Sequence, residues 1–379
     1  MKKFTLKTLL ALACMMCSWG AMAHDFVVDG IYYLILNEDD LTVAVTFRGN
    51  AFDSYDDEYS GKVVIPNTAN FNENDYSVIA VYNEAFRQCT GVTEVVMGEN
   101  VSIIGNKAFF NCINMASINF PEALTYIGSQ AFVNCHGLTS IDLGDNITTI
   151  DFYAFSACTG LTSIEIPAGI TTVSEYVFSA CTGLTEVTIP ENITEIGACA
   201  FSSCSSLQSV TITDNVASIG IMAFASCPEL TTVKLGSGIT YIDDYAFDNS
   251  PAVRELHCTA TKPPVINEMT FSADIYDTAT LHVVTGCKEA YAKANYWKAF
   301  TNITDDLSGI NSVKCDGTAI MAVNGQLVIN GIDDDAVVNI YSVTGTQVYQ
   351  TTVANASQCT LPAGMYIVQA GDAVAKVAL

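Results

Sequence analysis

The sequence predicts a β-rich solenoid of eight 23-residue units with a cap at each end, followed by a small all-β sandwich. The first observation is a ladder of phenylalanines. Phe86, Phe109, Phe132, Phe155, Phe178, Phe201, Phe224 and Phe247 recur at one fixed interval without a slip, and seven are followed by cysteine in the same place of the unit. The second is that aligning the chain on this ladder produces further apolar columns at the same period. These are Val92, Met115, Leu138, Leu161, Leu184, Leu207, Leu230 and Val253, then Val95, Ile118, Ile141, Ile164, Val187, Val210, Val233 and Leu256. The third is that the period stops before residue 309, after which short alternating strands follow. A fixed period of this size marks stacked units, none of which can bury its apolar face without a neighbour. Such an array offers a surface for binding rather than a pocket for chemistry.

Within a unit the elements follow in order. A third apolar column, Met97, Phe120, Leu143, Ile166, Ile189, Ile212, Leu235 and Cys258, completes the pattern L-x-x-I-x-I, the strand signature of leucine-rich repeats. Shortly after it come Asn100, Ala123, Asn146, Gly169, Asn192, Asn215 and Gly238; Asn and Gly tolerate positive φ, so this column reads as a turn. A second apolar pair, such as Ile193 and Ile196, predicts a second short strand. The segment Gly197 to Cys204, with Phe201 and Cys204 at helical spacing, is compatible with one helical turn. The ladder ends at Phe247, where Ser250 takes the place of cysteine and suits a rung that faces a cap.

The unit consensus I-G-x-x-A-F-x-x-C-x-x-L-x-x-I-x-I-P, seen as Ile196, Gly197, Ala200, Phe201, Cys204 and Leu207, resembles the BspA-like (TpLRR-type) leucine-rich repeats of microbial surface proteins, over about residues 76 to 260. Val177 in place of alanine and Ser250 in place of cysteine are its departures. The resemblance implies a leucine-rich-repeat right-handed solenoid. It also implies that residues 24–75, with predicted strands at Phe26 to Leu36, Leu41 to Arg48 and Gly61 to Pro66, form an N-terminal β cap. Residues 261–308 likewise resemble the C-terminal cap of the family, with Tyr291, Trp297 and Phe300 laid over the last rung.

Residues 309–379 read as strands at Ala319 to Val323, Gln326 to Ile329, Val337 to Ser342, Gln347 to Thr352, Met365 to Gln369 and Ala373 to Ala378. Asn339 to Gly345, Leu361 to Val368 and Val374 to Val377 resemble the C-terminal sorting domain of type IX secretion cargo of Bacteroidetes, which implies translocation across the outer membrane. At the other end, Lys2, Lys3 and Lys7, an apolar stretch and Ala21-Met22-Ala23 form a signal peptide over residues 1–23, with His24 as the first mature residue. A lipobox at Leu10 to Cys14 is the weaker reading. No later apolar run approaches the ~20 residues of a membrane span.

A net charge of −25, from 15 basic against 40 acidic residues, argues against nucleic acid and anionic lipid as partners. The acidic runs Asp53 to Glu58, Asp305-Asp306 and Asp333 to Asp335 lack the spacing of a calcium loop and read as solvated. Fourteen cysteines in an exported chain would ordinarily mean disulfides. In-register residues on successive rungs, however, hold their Cβ atoms a full ~4.8 Å apart, more than a disulfide accepts. The column cysteines therefore read as buried thiols, while Cys199, Cys287, Cys315 and Cys359 have no assigned role.

His24, His136, His257 and His282 each stand alone in the sequence, and no nucleophile, phosphate-loop or metal motif accompanies them. No enzyme activity, cofactor or metal is expected. The binding candidates are the side chains that alternate with the buried strand columns. One exposed column is Glu94, Ser117, Ser140, Ser163, Glu186, Ser209, Thr232 and Glu255; the other, more varied, is Val96, Asn119, Asp142, Glu165, Thr188, Thr211, Lys234 and His257. An adhesin-like interaction protein, binding host extracellular matrix or another cell surface, is the first functional expectation, and members of the resembled family are associated with such adhesion. A glycan-binding accessory protein for nutrient capture is the alternative, with Tyr126, Tyr153, Tyr176 and Tyr241 as exposed aromatic platforms.

Overall fold

The computed structural model describes residues 24–49 and 58–307, and beyond them the segments 319–323, 326–330, 336–342, 347–354, 365–370 and 373–378. The leader, most of the run from Asp53 to Glu58, Asp333 to Asp335, Cys315, Cys359, and the parts of the sorting-domain motif at residues 343–345 and 361–364 lie outside the described residues.

Three parallel ladders build the solenoid, one along each side of the repeating unit. The first joins Gly61–Ile65, Val92–Met97 and Ser117–Ile118, and again Glu186–Ile189, Ser209–Ile212, Thr232–Leu235, Glu255–Cys258, Thr280–Val284 and Asn302–Leu307. Alternation sends Val187, Val210, Val233 and Leu256 into the core and their neighbours outward. The two middle rungs, at Ile141 and Ile164, carry no described strand here, and both isoleucines are only half buried. The second ladder is the expected short strand, from Ile103–Ile104 and Tyr126–Ile127 through to Ser218–Ile219 and Tyr241–Ile242.

The third ladder, along the phenylalanines, is not helical, contrary to the expectation from sequence. Residues on either side of each phenylalanine adopt positive φ, for example Tyr176 (57°) and Ala180 (58°) around Phe178, then Cys199 (54°) and Ser203 (63°) around Phe201. Every second peptide is thereby turned, so that alternate N–H groups point along the stack. The N–H groups of Tyr176, Phe178 and Ala180 donate to the carbonyls of Ala198, Ala200 and Ser202 on the next rung, at 2.9, 2.9 and 2.7 Å. The intervening groups close local turns, such as Cys181 N–H to Phe178 O at 3.3 Å. Non-glycine residues rarely adopt positive φ; here each conformation is held by an inter-rung hydrogen bond from its N–H.

This ladder explains the cysteine column. The Sγ of Cys135, Cys158, Cys181 and Cys204 donates to the carbonyls of Phe109, Phe132, Phe155 and Phe178, at 3.2, 3.1, 3.2 and 3.3 Å. A small side chain with one weak donor gives a second hydrogen bond to a buried carbonyl that already accepts the backbone N–H three residues on. Ser250 makes the same bond to Phe224 O at 3.1 Å and also accepts from Cys227 N–H at 3.1 Å. The substitution is therefore an isosteric donor, and it does not mark the end of the stack. Among the described residues, Cys89, Cys112, Cys135, Cys158, Cys181, Cys199, Cys204, Cys227 and Cys258 are buried thiols outside any disulfide, whereas Cys287 is held in a disulfide.

The phenylalanine stack likewise continues past Phe247. Its ring lies 5.3 Å from that of Phe271 at 9°, across a step slightly longer than the strict period, which hides it from sequence comparison. Trp297 and Phe300 then meet Phe271 edge-on at 5.9 and 5.6 Å, and the Trp297 indole N–H donates to Pro264 O at 2.7 Å. Tyr291, on the helix Lys288–Lys293, is fully buried and donates to Ala260 O at 2.7 Å.

The column of Asn100, Asn192, Asn215, Gly169 and Gly238 does turn the chain, yet none of these residues has positive φ. The asparagines act through their side chains: Asn192 Nδ2 donates to Pro167 O and Ile170 O, and Asn215 Nδ2 to Glu191 O. The glycines are selected by crowding. A Cβ on Gly238 would lie 2.0 Å from Asp214 O, a backbone atom of the previous rung. Gly238→Ala is expected to cost about 1–3 kcal/mol or more through overpacking, read as a fall in urea midpoint at constant slope; an unchanged midpoint would refute the packing argument.

At the amino-terminal end, one expected strand is two. Phe26–Val28 and Ile31–Asn37 form a hairpin around Asp29 and Gly30, both at positive φ, as an Asp-Gly turn of this kind requires. Ile31–Asn37 also pairs antiparallel with Thr42–Thr46, and residues Thr68–Phe71 and Asn74–Val81 add a further hairpin that the sequence reading missed. At the carboxyl end the described strands match the expected ones closely, in a two-stranded sheet (Ala319–Val323, Gln326–Asn330) and a four-stranded sheet ordered Gln347–Thr352, Val337–Ser342, Met365–Ala370, Ala373–Ala378.

Candidate binding face

The varied column lies on the solvent side of the first ladder. Strand register places Thr188, Thr211, Lys234 and His257 side by side, and the same row continues to His282 and Thr304. These last two escaped sequence reading because the step from rung to rung first lengthens and then shortens. The surviving signal was the repeated apolar-His-apolar triplet, Leu256-His257-Cys258 and Leu281-His282-Val283. At the other end Val96 is half buried and pairs with Val64, which is 52% exposed.

The remaining candidates differ in kind. Asn119 spends its side chain on the previous rung, accepting from Met97 N–H at 2.6 Å and donating to Met97 O at 2.9 Å. It replaces ladder bonds where the strand stops at Ile118, a structural task. Asp142 and Glu165 are exposed on the two rungs without a described strand, and Asp142 accepts from Gly144 N–H at 3.2 Å.

His257 and His282, alone in the sequence, are not alone in space. Their rings stack at 4.5 Å and 9°. His282 Nε2 lies 2.7 Å from a Glu255 carboxylate oxygen, and Nδ1 lies 2.9 and 3.0 Å from the two oxygens of Asp306. Glu255 and His257 alternate with Leu256 on one strand, so both point outward. Burial opposes protonation of His282, but the hydrogen bonds to Asp306 and Glu255 outweigh it and its pKa is raised. His257 moves the other way, through burial and the neighbouring charges of His282 and Lys234. The pair thus holds one imidazole toward the charged form and one toward the neutral form. His136, in contrast, sits exposed in its turn with Nδ1 3.0 Å from Thr159 Oγ1.

A second feature lies on the edge formed by the short strands. A groove of about 570 Å³ runs beside Phe152, Glu175, Glu195, Gly197, Ile221 and Asp243. Phe152 and Ile221 are 46% and 39% exposed. Of the four tyrosines expected to be exposed, only Tyr241 is, at 37%. Tyr126 is half buried and donates to Asp151 at 3.1 Å, and Tyr153 and Tyr176 cover each other, stacked at 4.3 Å.

Among the described residues, no helix is long and apolar enough to cross a membrane. No curated protein matches the chain. Among solved structures, it is similar to the leucine rich repeat protein TpLRR of T. pallidum, at 22% identity over 54% of this chain and 90% of that one, with a TM-score of 0.46. It is also similar to a leucine rich cell surface protein from Faecalibacterium prausnitzii (22% identity, 76% and 96% covered, TM-score 0.43). A leucine-rich repeat protein from Bacteroides ovatus is a further likeness (20% identity, 75% and 89% covered, TM-score 0.39). Six copies of the BspA type leucine rich repeat region match residues 79–205 and 150–276, together more than half of the 379 residues. With its stacked rungs, buried columns and this match, the chain belongs to the BspA type leucine-rich repeat family.

Proposed function

We propose that this protein is an exported, adhesin-like interaction protein whose outward strand face binds a protein on a host or microbial surface. The observation that carries the reading is the row Thr188, Thr211, Lys234, His257, His282 and Thr304, in register and outward on a fixed ladder. Its chemistry passes from hydroxyl to ammonium to imidazole and back to hydroxyl, while the buried column Val187, Val210, Val233, Leu256 and Leu281 beside it stays aliphatic. A rigid row of varied groups is preorganised, so little ordering cost is met on binding. Export rests on the leader at residues 1–23, and delivery to the cell surface on the resemblance of residues 309–379 to a sorting domain. Residues 24–75 and 261–308 serve as the caps that a stack needs at its ends.

A glycan ligand is the second reading, favoured by the groove beside Phe152, where an exposed ring stands among carboxylates. The two are separated by matrix-protein and glycan arrays probed with the wild type, with a triple variant (Asp142→Ala, Glu165→Ala, Lys234→Ala) and with Phe152→Ala. The protein-binding reading expects the triple variant to lose about tenfold or more in affinity, at roughly 1.4 kcal/mol per decade, with an unchanged Tm. Glycan binding that depends on Phe152 alone would replace it.

A further inference from the structure

We infer that Glu255, His257 and His282 form a binding site for a divalent transition-metal ion of the zinc class at the carboxyl-terminal end of the strand face. One carboxylate oxygen and one ring nitrogen from each histidine lie within 4.8 Å of one another. The register His257↔His282 fixes the two backbones, and Glu255 reaches across the same two rungs. Zinc bound at about 2.0–2.1 Å holds its donors about 3.3 Å apart in a tetrahedron. Binding therefore requires the stacked imidazoles to turn so that their nitrogens converge, and donors spread over up to 4.8 Å to draw in. The Glu255 Oε2 and His282 Nε2 pair, now 2.7 Å apart and sharing a proton, must instead open by about half an ångström. The Glu255 side chain, 48% exposed, can supply it.

The donor set selects the metal. Two imidazoles and one carboxylate suit zinc and its neighbours, whereas calcium and magnesium require oxygen cages. His282 already carries the outer support such a ligand needs. Its Nδ1 faces the Asp306 carboxylate, which Thr304 Oγ1 holds at 3.1 Å, so that Nε2 is the nitrogen presented to the ion. Three protein ligands leave a coordination position open toward solvent, on the face proposed above to meet a partner. Lys234, one rung back in the same row, is the charge that opposes the ion. Metal binding at this place is independent of which macromolecule the face meets.

The test is calorimetric titration of the full chain, stripped with chelator, with Zn²⁺ alone. The expected result is one equivalent bound with a dissociation constant of about 10 μM or tighter, accompanied by a rise in Tm. His257→Ala and His282→Ala are each expected to weaken binding at least about 100-fold, and Asp306→Asn about 10-fold. Lys234→Ala should bind at least as well as wild type, and is a folded control that keeps the ladder intact. Weaker wild-type binding overturns the inference. So does binding that survives in the His257→Ala, His282→Ala double variant, which would assign the ion to cysteines.

Discussion

Phe201→Ala is expected to lower the unfolding free energy by about 3–5 kcal/mol, the range for deleting a fully buried phenylalanine. The ring is 0% exposed and stacks between Phe178 at 5.5 Å and Phe224 at 5.3 Å. Its removal opens a cavity that cannot collapse, because the neighbouring rungs are held at ladder spacing. Phe201 N–H bonds Ala223 O at 2.8 Å, and Phe178 N–H bonds Ala200 O at 2.9 Å. Stability in a stacked array is a sum of units and nearest-neighbour interfaces, so a break in the middle also weakens the coupling of the two halves. Urea unfolding should show a lower midpoint and a broader or split transition. A loss below about 1 kcal/mol would mean that the stack relaxes around the hole, contrary to the rigidity argued here.

The second large effect is alkaline. Burial pushes the Cys158 and Cys227 thiols up to about 12 and Cys258 up to about 11, and lifts Cys135, Cys181 and Cys204 well above the ordinary thiol range. The folded state therefore holds these protons more tightly than the unfolded chain. The stabilisation is complete below the unfolded thiol value of 9 and is lost as pH rises toward 12. Raising one fully buried thiol from 9 to about 12 is worth about 4 kcal/mol. Against a typical stability of about 5–15 kcal/mol, two or three such groups suffice. We expect cooperative unfolding between pH 9 and about 12, with thiolate absorbance appearing together with the loss of circular dichroism. Cys158→Ala, although less stable at neutral pH, should lower the pH slope by about 1.4 kcal/mol per pH unit in that window. Thiolate signal near pH 9 in a still-folded protein would show that the column is accessible. Disulfides among these thiols in the denatured, unreduced chain would overturn the packing assignment altogether.

The serine at position 250 connects both predictions with sequence reading. A column that accepts Cys or Ser but stays buried requires a small donor, and the recipient is the phenylalanine carbonyl one rung back. The column was legible; the recipient was not. Positive φ was expected at Asn and Gly, yet it falls on Tyr176, Ala180, Cys199 and Ser203. In the column of Ala180 and Ser203, Asn111, Asn134 and Asn249 do carry the usual preference, but Gln88, Ala157, Ala180, Ser203 and Ser226 do not, because inter-rung hydrogen bonds impose the conformation on any residue there. The exposed tyrosines failed for a related reason: Tyr153 and Tyr176 are in register and shield each other.

The stack was already written in the chain: its regular period, the inward Phe, Cys and aliphatic columns, the outward row from Thr188 to His257, and the positions of the late strands. These follow from local patterns repeated at a fixed interval, and burial must repeat with them. Only the folded arrangement revealed what happens where the interval slips. There the ladders persist through Phe271, His282 and Thr304, because hydrogen-bond register and ring stacking constrain the strands while the loops between them absorb the difference in length. That slip brings His282 beside His257 and between Glu255 and Asp306. Four residues without a shared motif become one cluster because the ladder sets their spacing.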